Sequence, residues 1–382
     1  MLTQLVQISN FYGSNPDFVL AGGGNTSCKD KDFLYIKASG ESLGTIKEDG
    51  FVKMSCQKLS QMTTKSFPSD DEQREAAVLS DLLAARADET AKRPSVETLL
   101  HYLMPQTFVI HTHPALVNGV LCVKGSREII KELFGEETIW LNSMMPGYML
   151  SKTVENEVQS YKKQFGSYPQ MIFLENHGVF VAADTIDEIK QLYQNIVDKI
   201  SAKIKEFPDL SPTDYSNSEQ QNSAVPASDE NISQVVEQIK KFPLSENDFV
   251  SVQYLLNTEI KKLTACKTDF LPVSSAYTPD HMVYCGADAI FAQDKEDLLS
   301  MLTISKENNK PIPKIIAVKE LGVFACGNSP KSAQITATLF LDTVKIATYT
   351  KSFGQYQFLS SEMIDFIGSW EAEKYRSSVS LK

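Results

Sequence analysis

Residues 170–192 read QMIFLENHGVFVAADTIDEIKQL and carry three local patterns in succession. The apolar run QMIFLEN is followed by a turn at His177 and Gly178, a second apolar run, VFVAA, and a segment with apolar residues at helical spacing. Short apolar runs between turn residues are typical of buried strands, and apolar spacing of three and four residues is typical of a helix on a sheet. We therefore predict a strand–turn–strand–helix unit.

The same pattern returns in residues 314–336, KIIAVKELGVFACGNSPKSAQIT, which align with residues 170–192 without gaps. The GVF of residues 178–180 matches the GVF of residues 322–324, whereas His177 is matched by a leucine. A generic strand–turn–strand coincidence is the alternative, but the shared order extends through the helical segment as well. We interpret the second stretch as part of a fold duplicate that lacks the chemistry of the first.

Other segments extend this pattern on both sides. DFLYIKAS and QTFVIHTH are rich in strand-forming residues, and DEQREAAVLSDLLAARAD and SVETLLHYLM carry helical spacing. We predict an α/β layered fold, with a mixed central sheet flanked by helices and a degenerate second copy towards the C-terminus. Residues 207–231 are rich in Ser, Asn, Pro and acidic residues and are predicted to be a linker between domains 1–206 and 232–382.

Composition limits the classes of partner. The chain has 382 residues, is 42% hydrophobic and 22% charged, and carries a net charge of −11 without any Lys/Arg block, so we expect no nucleic-acid partner. It has no signal-peptide pattern and no apolar run of about 20 residues, so we expect no membrane association. Six scattered cysteines without a C-x-x-C pair indicate reduced thiols in a cytoplasmic protein.

Two histidines stand one residue apart in VIHTHPALVNG, residues 109–119. On a strand, residues i and i+2 point to the same face, so His111 and His113 can grip one metal ion; two separately hydrogen-bonded core histidines are the alternative. His177, at the end of another strand, favours the metal. Three histidines with an open fourth position suit a catalytic zinc better than a structural one. We assign His101 and His281 no ligand role.

Three polar turns accompany the histidines: AGGGNTSCK, KASGESL and KRPSVE. The first lacks the G-K-[ST] of a P-loop and the strand–helix context of a dinucleotide fingerprint. Its glycines and short polar side chains do offer the clustered N–H groups of an anion-binding nest. Each turn by itself is ordinary, and only their combination with the histidines points to a site.

The order GGGNTS, IKASG, RPSVE, HTHP and ENHGVF resembles the class II aldolase/adducin family over about residues 1–200. The closest resemblance is to the aldolase half of bifunctional rhamnulose-phosphate aldolase/dehydrogenases, which share the later motifs PDHMVY, LGVFACG and WEAEKYR. The resemblance implies a Zn²⁺ cofactor held by His111, His113 and His177, and Glu97 as the catalytic carboxylate. It further implies a homo-oligomer.

The resemblance also implies a phosphate cradle for a sugar-phosphate substrate. The positions that match the cradle are Asn25, Ser39, Gly40 and Ser95. Val96 departs from the family pattern, in which a second serine precedes the catalytic Glu, so one phosphate donor is missing. The family's C-terminal tyrosine, which exchanges a proton with the aldehyde oxygen, has no identifiable counterpart.

The implied reaction is retro-aldol cleavage of a (deoxy)ketose 1-phosphate, such as L-rhamnulose 1-phosphate, to dihydroxyacetone phosphate and an aldehyde. The metal acts as Lewis acid and Glu97 moves the proton at C3. A sugar-phosphate epimerase or dehydratase of the same family is an alternative, although epimerases typically carry Asp in place of Glu97. A non-catalytic, adducin-like binding protein is another alternative. For the second domain, a silent duplicate is the preferred interpretation.

Overall fold

The computed structural model describes residues 1–88, 92–136, 138–211, 230–242, 250–308 and 313–380. The described chain forms two compact units: the first combines Met1–Ile204 with Ser360–Ser380, and the second is Lys205–Leu359. Most of the predicted linker, residues 207–231, is outside the described residues, because these omit 212–229.

The first unit is built on a seven-stranded mixed sheet. Its strands are β1 (Asn25–Lys29), β2 (Phe33–Lys37), β3 (Phe51–Ser55), β4 (Phe108–Thr112), β5 (Ile139–Leu141), β6 (Met171–Leu174) and β7 (Gly178–Ala183). They lie in the spatial order β3-β2-β1-β4-β7-β6-β5, antiparallel except for the parallel pair β5–β6. The predicted α/β class, with a mixed central sheet, is confirmed.

Helices flank this sheet. They are α1 (Leu2–Gly13), α2 (Cys56–Thr64), α3 (Asp71–Ala84), α4 (Thr98–Leu103), α5 (Ala115–Leu121), α6 (Ser126–Phe134), α7 (Tyr148–Phe165) and α8 (Ile186–Ser201). α8 begins at a capping box: the Thr185 hydroxyl accepts from the Glu188 N–H, and the Glu188 carboxylate accepts from the Thr185 N–H. Its apolar stripe, which includes Ile189, Ile196 and Ile200, is fully buried. The predicted strand–turn–strand–helix unit is therefore present at residues 171–201.

The second unit carries a four-stranded sheet. Its strands are β8 (Ser251–Leu255), β9 (Ile290–Ala292), β10 (Ile315–Val318) and β11 (Gly322–Gly327). Its helices are α9 (Glu230–Lys240), α10 (Thr258–Leu263), α11 (Lys267–Phe270), α12 (Pro279–Cys285), α13 (Lys295–Glu307) and α14 (Pro330–Thr350). The spatial order β8-β11-β10-β9, with only β9–β10 parallel, repeats the order and the directions of β4-β7-β6-β5. This topology is the one expected of a duplicated unit.

The last two helices, α15 (Ser361–Ser369) and α16 (Glu371–Ser380), group with the first unit, whereas the sequence assigns residues 232–382 to the second domain. The guanidinium of Arg93 lies 2.8 Å from the carboxylate of Glu371 and 4.8 Å from the ring centroid of Tyr375. These long-range contacts tie α16 to the turn before α4. No described helix combines the length and the hydropathy needed to cross a membrane.

Candidate active site

His111 lies at the centre of the seven-stranded sheet, on β4 between β1 and β7, and is fully buried. Its Nδ1 is 3.0 Å from the carbonyl oxygen of Val179, which can only accept, so Nδ1 carries the proton. Its ring stacks on Phe180, with centroids 4.0 Å apart and planes 12° apart. With this proton on Nδ1, the ring can present the lone pair of Nε2 to the site.

The other two histidines converge on this nitrogen. His113 follows the end of β4, and its Nε2 lies 2.9 Å from that of His111. His177 lies in the turn between β6 and β7, where Asn176 adopts a left-handed φ of 55° and the Asn118 amide donates to the His177 carbonyl oxygen at 3.2 Å. The potential ligand atoms of the three histidines all lie within 4.8 Å of one another.

Glu97 faces the histidine cluster from the N-terminus of α4. Its Oε2 is 3.5 Å from Nε2 of His111, and its Oε1 is 3.7 Å from Nε2 of His177. The residue is only 6% exposed. The side-chain amide of Asn25 donates to Oε2, while the buried Oε1 has no hydrogen-bond partner within the described parts of the chain. A buried carboxylate oxygen without a donor is costly, which indicates a ligand-binding role.

The donor set fits a divalent transition metal. Three imidazoles with a neighbouring carboxylate match the ligands that Zn²⁺ prefers, and the three histidines alone leave a position open. A cation there would compensate both the close approach of the two Nε2 atoms and the unpartnered Oε1 of Glu97. His111, His113 and His177 are therefore the residues that could hold the metal.

Three of the four predicted phosphate-binding residues lie on neighbouring segments. The Ser39 N–H donates to the Arg93 carbonyl oxygen at 2.8 Å, and the Ser95 N–H donates to the Lys37 carbonyl oxygen at 3.2 Å. These bonds place Ser39 and Gly40, after β2, beside Ser95, before α4. The Ser95 hydroxyl accepts from the Glu97 N–H at 3.3 Å, so this segment adjoins Glu97.

Asn25 is the fourth predicted phosphate-binding residue, and its side chain has other partners. It begins β1 opposite His111, and its amide lies between Glu97 and His101. His101 in turn contacts the hydroxyl of Ser27, with Nδ1 2.7 Å from Oγ. Sequence reasoning gave neither His101 nor Ser27 a role. The available signal was the position of His101 one helical turn after Glu97.

Comparison with known proteins gives a family. Residues 3–200 match the family model described as Class II Aldolase and Adducin N-terminal domain. A Bacillus subtilis (strain 168) protein named uncharacterized oxidoreductase YuxG is 22% identical over a gapped alignment of 413 positions, which includes 98% of this chain and 58% of that protein. The chain thus spans less than two thirds of this relative.

Solved structures cover about half of the chain. The N-terminal class II aldolase domain of a conserved Thermoplasma acidophilum protein is 28% identical, covers 52% of this chain and 91% of its own, and has a TM-score of 0.45. The L-fuculose-1-phosphate aldolase of Thermus thermophilus is 13% identical, covers 53% of this chain and 94% of its own, and has a TM-score of 0.34.

Proposed function

Because the chain belongs to the class II aldolase and adducin family through residues 3–200, we propose that it is a zinc-dependent aldolase. Its substrate is a (deoxy)ketose 1-phosphate such as L-rhamnulose 1-phosphate, which it cleaves between C3 and C4 to dihydroxyacetone phosphate and an aldehyde. The observation that carries this proposal is the buried Glu97 carboxylate facing three convergent histidines, with one oxygen that lacks a hydrogen-bond donor among the described residues.

The residues divide the work. His111, His113 and His177 hold the zinc ion, which when bound supplies Lewis-acid stabilisation of the negative charge that develops as the C3–C4 bond breaks. As the C3–C4 bond breaks, the C4 hydroxyl loses its proton to solvent and becomes the aldehyde oxygen. Glu97 gives a proton to C3 of the dihydroxyacetone phosphate half through Oε1, because Asn25 occupies Oε2. Glu97 is buried, so bulk water is kept away from the carboxylate that carries this proton.

The phosphate end of the substrate binds beside Glu97. We assign it to Ser39, Gly40 and Ser95, which the hydrogen bonds to Arg93 and Lys37 hold together. Asn25 contributes at the other side of Glu97, through its hold on Oε2. With Val96 at the neighbouring position, the cradle has one hydroxyl fewer than the family pattern. A homo-oligomer stays a prediction, which light scattering of the purified chain tests.

The experiment is release of dihydroxyacetone phosphate, followed by coupled NADH oxidation, from L-rhamnulose 1-phosphate and from L-fuculose 1-phosphate. Each substrate is tested with the zinc-loaded chain, after treatment with a chelator, and after zinc is restored. Glu97→Gln is the matched variant, because it removes the proton-transfer group and leaves the three histidines in place. We expect release that the chelator abolishes and zinc restores, and that Glu97→Gln lowers by roughly 10²–10³-fold with zinc still bound.

The other outcomes overturn the proposal in different directions. One zinc per chain without release from either substrate would replace the aldolase with another family reaction, such as dehydration or epimerisation. Absence of zinc binding would favour a non-catalytic binding protein. Release that is insensitive to chelators would exclude the metal from the reaction.

A further inference from the structure

We propose that His101 is a positioning residue that directs the catalytic carboxylate through Asn25. The inference rests on the proposed function for its kinetic consequences, but the hydrogen-bond chain itself is a property of the protein alone. The hydrogen bonds run from Ser27 through His101 and Asn25 to Glu97, and all four side chains are buried.

The direction of each of these hydrogen bonds follows from the last residue of the series, Glu97. An ionised carboxylate can only accept, so Asn25 presents its NH₂ group to Glu97 and its Oδ1 to His101. His101 must then donate from Nε2, and in a neutral ring this leaves Nδ1 as an acceptor. The Ser27 hydroxyl, 2.7 Å away, supplies the matching donor. Every bond therefore has a single consistent direction.

The environment of His101 keeps its ring neutral. His101 has no exposed surface, and burial lowers its pKa well below the ordinary value, with His111 and Lys29 acting in the same direction. A protonated ring would place a second donor against the Ser27 hydroxyl and would disturb the fixed sequence of bonds. The neutral Nε2–H tautomer is thus the form that can hold the Asn25 amide.

The consequence is that the Asn25 amide has a fixed orientation against the two oxygens of Glu97. An asparagine side chain that is free to rotate about χ2 could present either amide end to the carboxylate, and Oδ1 would repel it. Because His101 occupies Oδ1, the NH₂ group stays on Oε2, and Oε1 stays free of hydrogen bonds from the described residues. His101 also packs edge-on against Phe180, which stacks on His111. One residue therefore supports both the carboxylate and the buried histidine.

Two substitutions distinguish the contribution of Nε2 from that of Nδ1. His101→Gln places an amide nitrogen where Nε2 was and can still donate to Asn25, whereas His101→Asn reaches only as far as Nδ1 and cannot. Tyr102→Phe is the control: Tyr102 is on the same helix but packs against the separate core cluster under β2 and β3. We expect His101→Asn to lower kcat about 10–100-fold with KM and zinc content unchanged, and His101→Gln to restore most of the loss.

A readout without substrate tests the hydrogen-bond chain directly. In ¹⁵N-labelled, zinc-free protein we expect long-range ¹H–¹⁵N spectra to show His101 as the neutral Nε2–H tautomer between pH 6 and pH 8. In the Ser27→Ala variant, which removes the donor to Nδ1, we expect the Nδ1–H tautomer to appear in part. A protonated His101, or an Nδ1–H tautomer in the unsubstituted chain, would overturn the proposal.

The two proposals fail separately. If the unsubstituted chain does not release dihydroxyacetone phosphate, the proposed function is overturned, and the tautomer alone decides whether His101 holds Asn25. If the chain is active and His101→Asn matches Tyr102→Phe, the positioning role is overturned and the aldolase stands. An equal loss for His101→Asn and His101→Gln, or a loss of zinc from both, would make His101 a packing residue only.

Discussion

The two sheets of this protein share a four-strand frame, β4-β7-β6-β5 in the first unit and β8-β11-β10-β9 in the second, but carry different side chains on it. When β8 and β11 are matched to β4 and β7 by their pairing, His111, opposite Phe180, corresponds to Tyr254, opposite Phe324. Even the contact with the phenylalanine is kept, since the Tyr254 and Phe324 ring centroids are 5.3 Å apart. The frame therefore tolerates either an imidazole or a phenol at this point.

The positions of the other two histidines differ more strongly. Two residues further along, His113 corresponds to Leu256, and in the turn His177 corresponds to Leu321. The Tyr254 hydroxyl donates to the Leu321 carbonyl oxygen at 2.6 Å, so the turn of the second unit is closed by a hydrogen bond within the chain. The backbone is shared, including the left-handed residues Asn176 and Glu320 before the turn.

The first unit adds what the second does not have among its described residues. β1, β2 and β3 extend its sheet on the β4 side, and the segment after them carries Glu97 and His101. Through this extension Asn25 comes to lie opposite His111. The four-strand frame is therefore a scaffold, while Asn25 and Ser27 come from the three-strand extension and Glu97 and His101 come from the segment that follows it.

The largest expected effect is loss of the metal site by His111→Ala. This change removes the buried ligand on β4, and we expect loss of zinc together with roughly 10⁴-fold lower activity, about 5 kcal/mol of transition-state stabilisation. Zinc is measured by mass spectrometry after dialysis, and activity by release of dihydroxyacetone phosphate. Tyr254→Phe, at the corresponding point of the second sheet, is the control and should leave both unchanged. Retention of zinc by His111→Ala would show that His111 is not needed for metal binding.

A smaller effect is expected at the glycines that begin β7 and β11. A Cβ at Gly178 would lie 2.5 Å from the Thr112 carbonyl oxygen and 2.7 Å from Cδ2 of His113, so Gly178→Ala must displace that ring. We expect zinc affinity to fall about 10–100-fold, measured by competition with a chromophoric chelator.

The matched variant is Gly322→Ala in the second sheet. Gly322 has a φ of +136°, and its Cβ would lie 2.9 Å from the Leu255 carbonyl oxygen. The strain is at least as great, but the three histidines belong to the first unit, so we expect lower stability of the second unit and an unchanged zinc affinity. Equal losses of affinity in the two variants would show that the second unit contributes to metal binding.

Local sequence patterns predicted the frame but not the network around Glu97. Alternation along β4 placed His111 and His113 on one face, and the turn at Gly178 placed His177 nearby, because these relations depend on short stretches of chain. The partners of Asn25 depend instead on the register of β1 against β4, which no local pattern determines. His101 received no role from the sequence for the same reason.

The C-terminal helices show the same limit. The gapless match between residues 170–192 and 314–336 predicted a second strand–turn–strand–helix unit, and the four-strand topology agrees with it. Beyond that match, the sequence offered no boundary between α14 and α15. α15 and α16 belong to the first unit, and α16 is held there by tertiary contacts such as Arg93 with Glu371, 278 residues apart in the chain.

The smallest expected effect concerns the helix caps that follow the two strand pairs. Thr185 caps α8 and Ser329 caps α14, each accepting a backbone N–H bond in the first turn. Replacing either by Ala should cost about 1 kcal/mol of helix stability. Both tryptophans, Trp140 and Trp370, belong to the first unit, so denaturant unfolding followed by tryptophan fluorescence reports that unit.

We therefore expect Thr185→Ala to lower the free energy of unfolding detected by fluorescence by about 1 kcal/mol. Ser329→Ala should leave this free energy unchanged. Circular dichroism, which detects helices of both units, should register both changes. If Ser329→Ala shifts the fluorescence transition as far as Thr185→Ala does, the two units unfold as one cooperative body. The second unit would then stabilise the first unit. This stabilisation would be a physical reason to retain the second unit, although leucine stands in place of histidine at its turn.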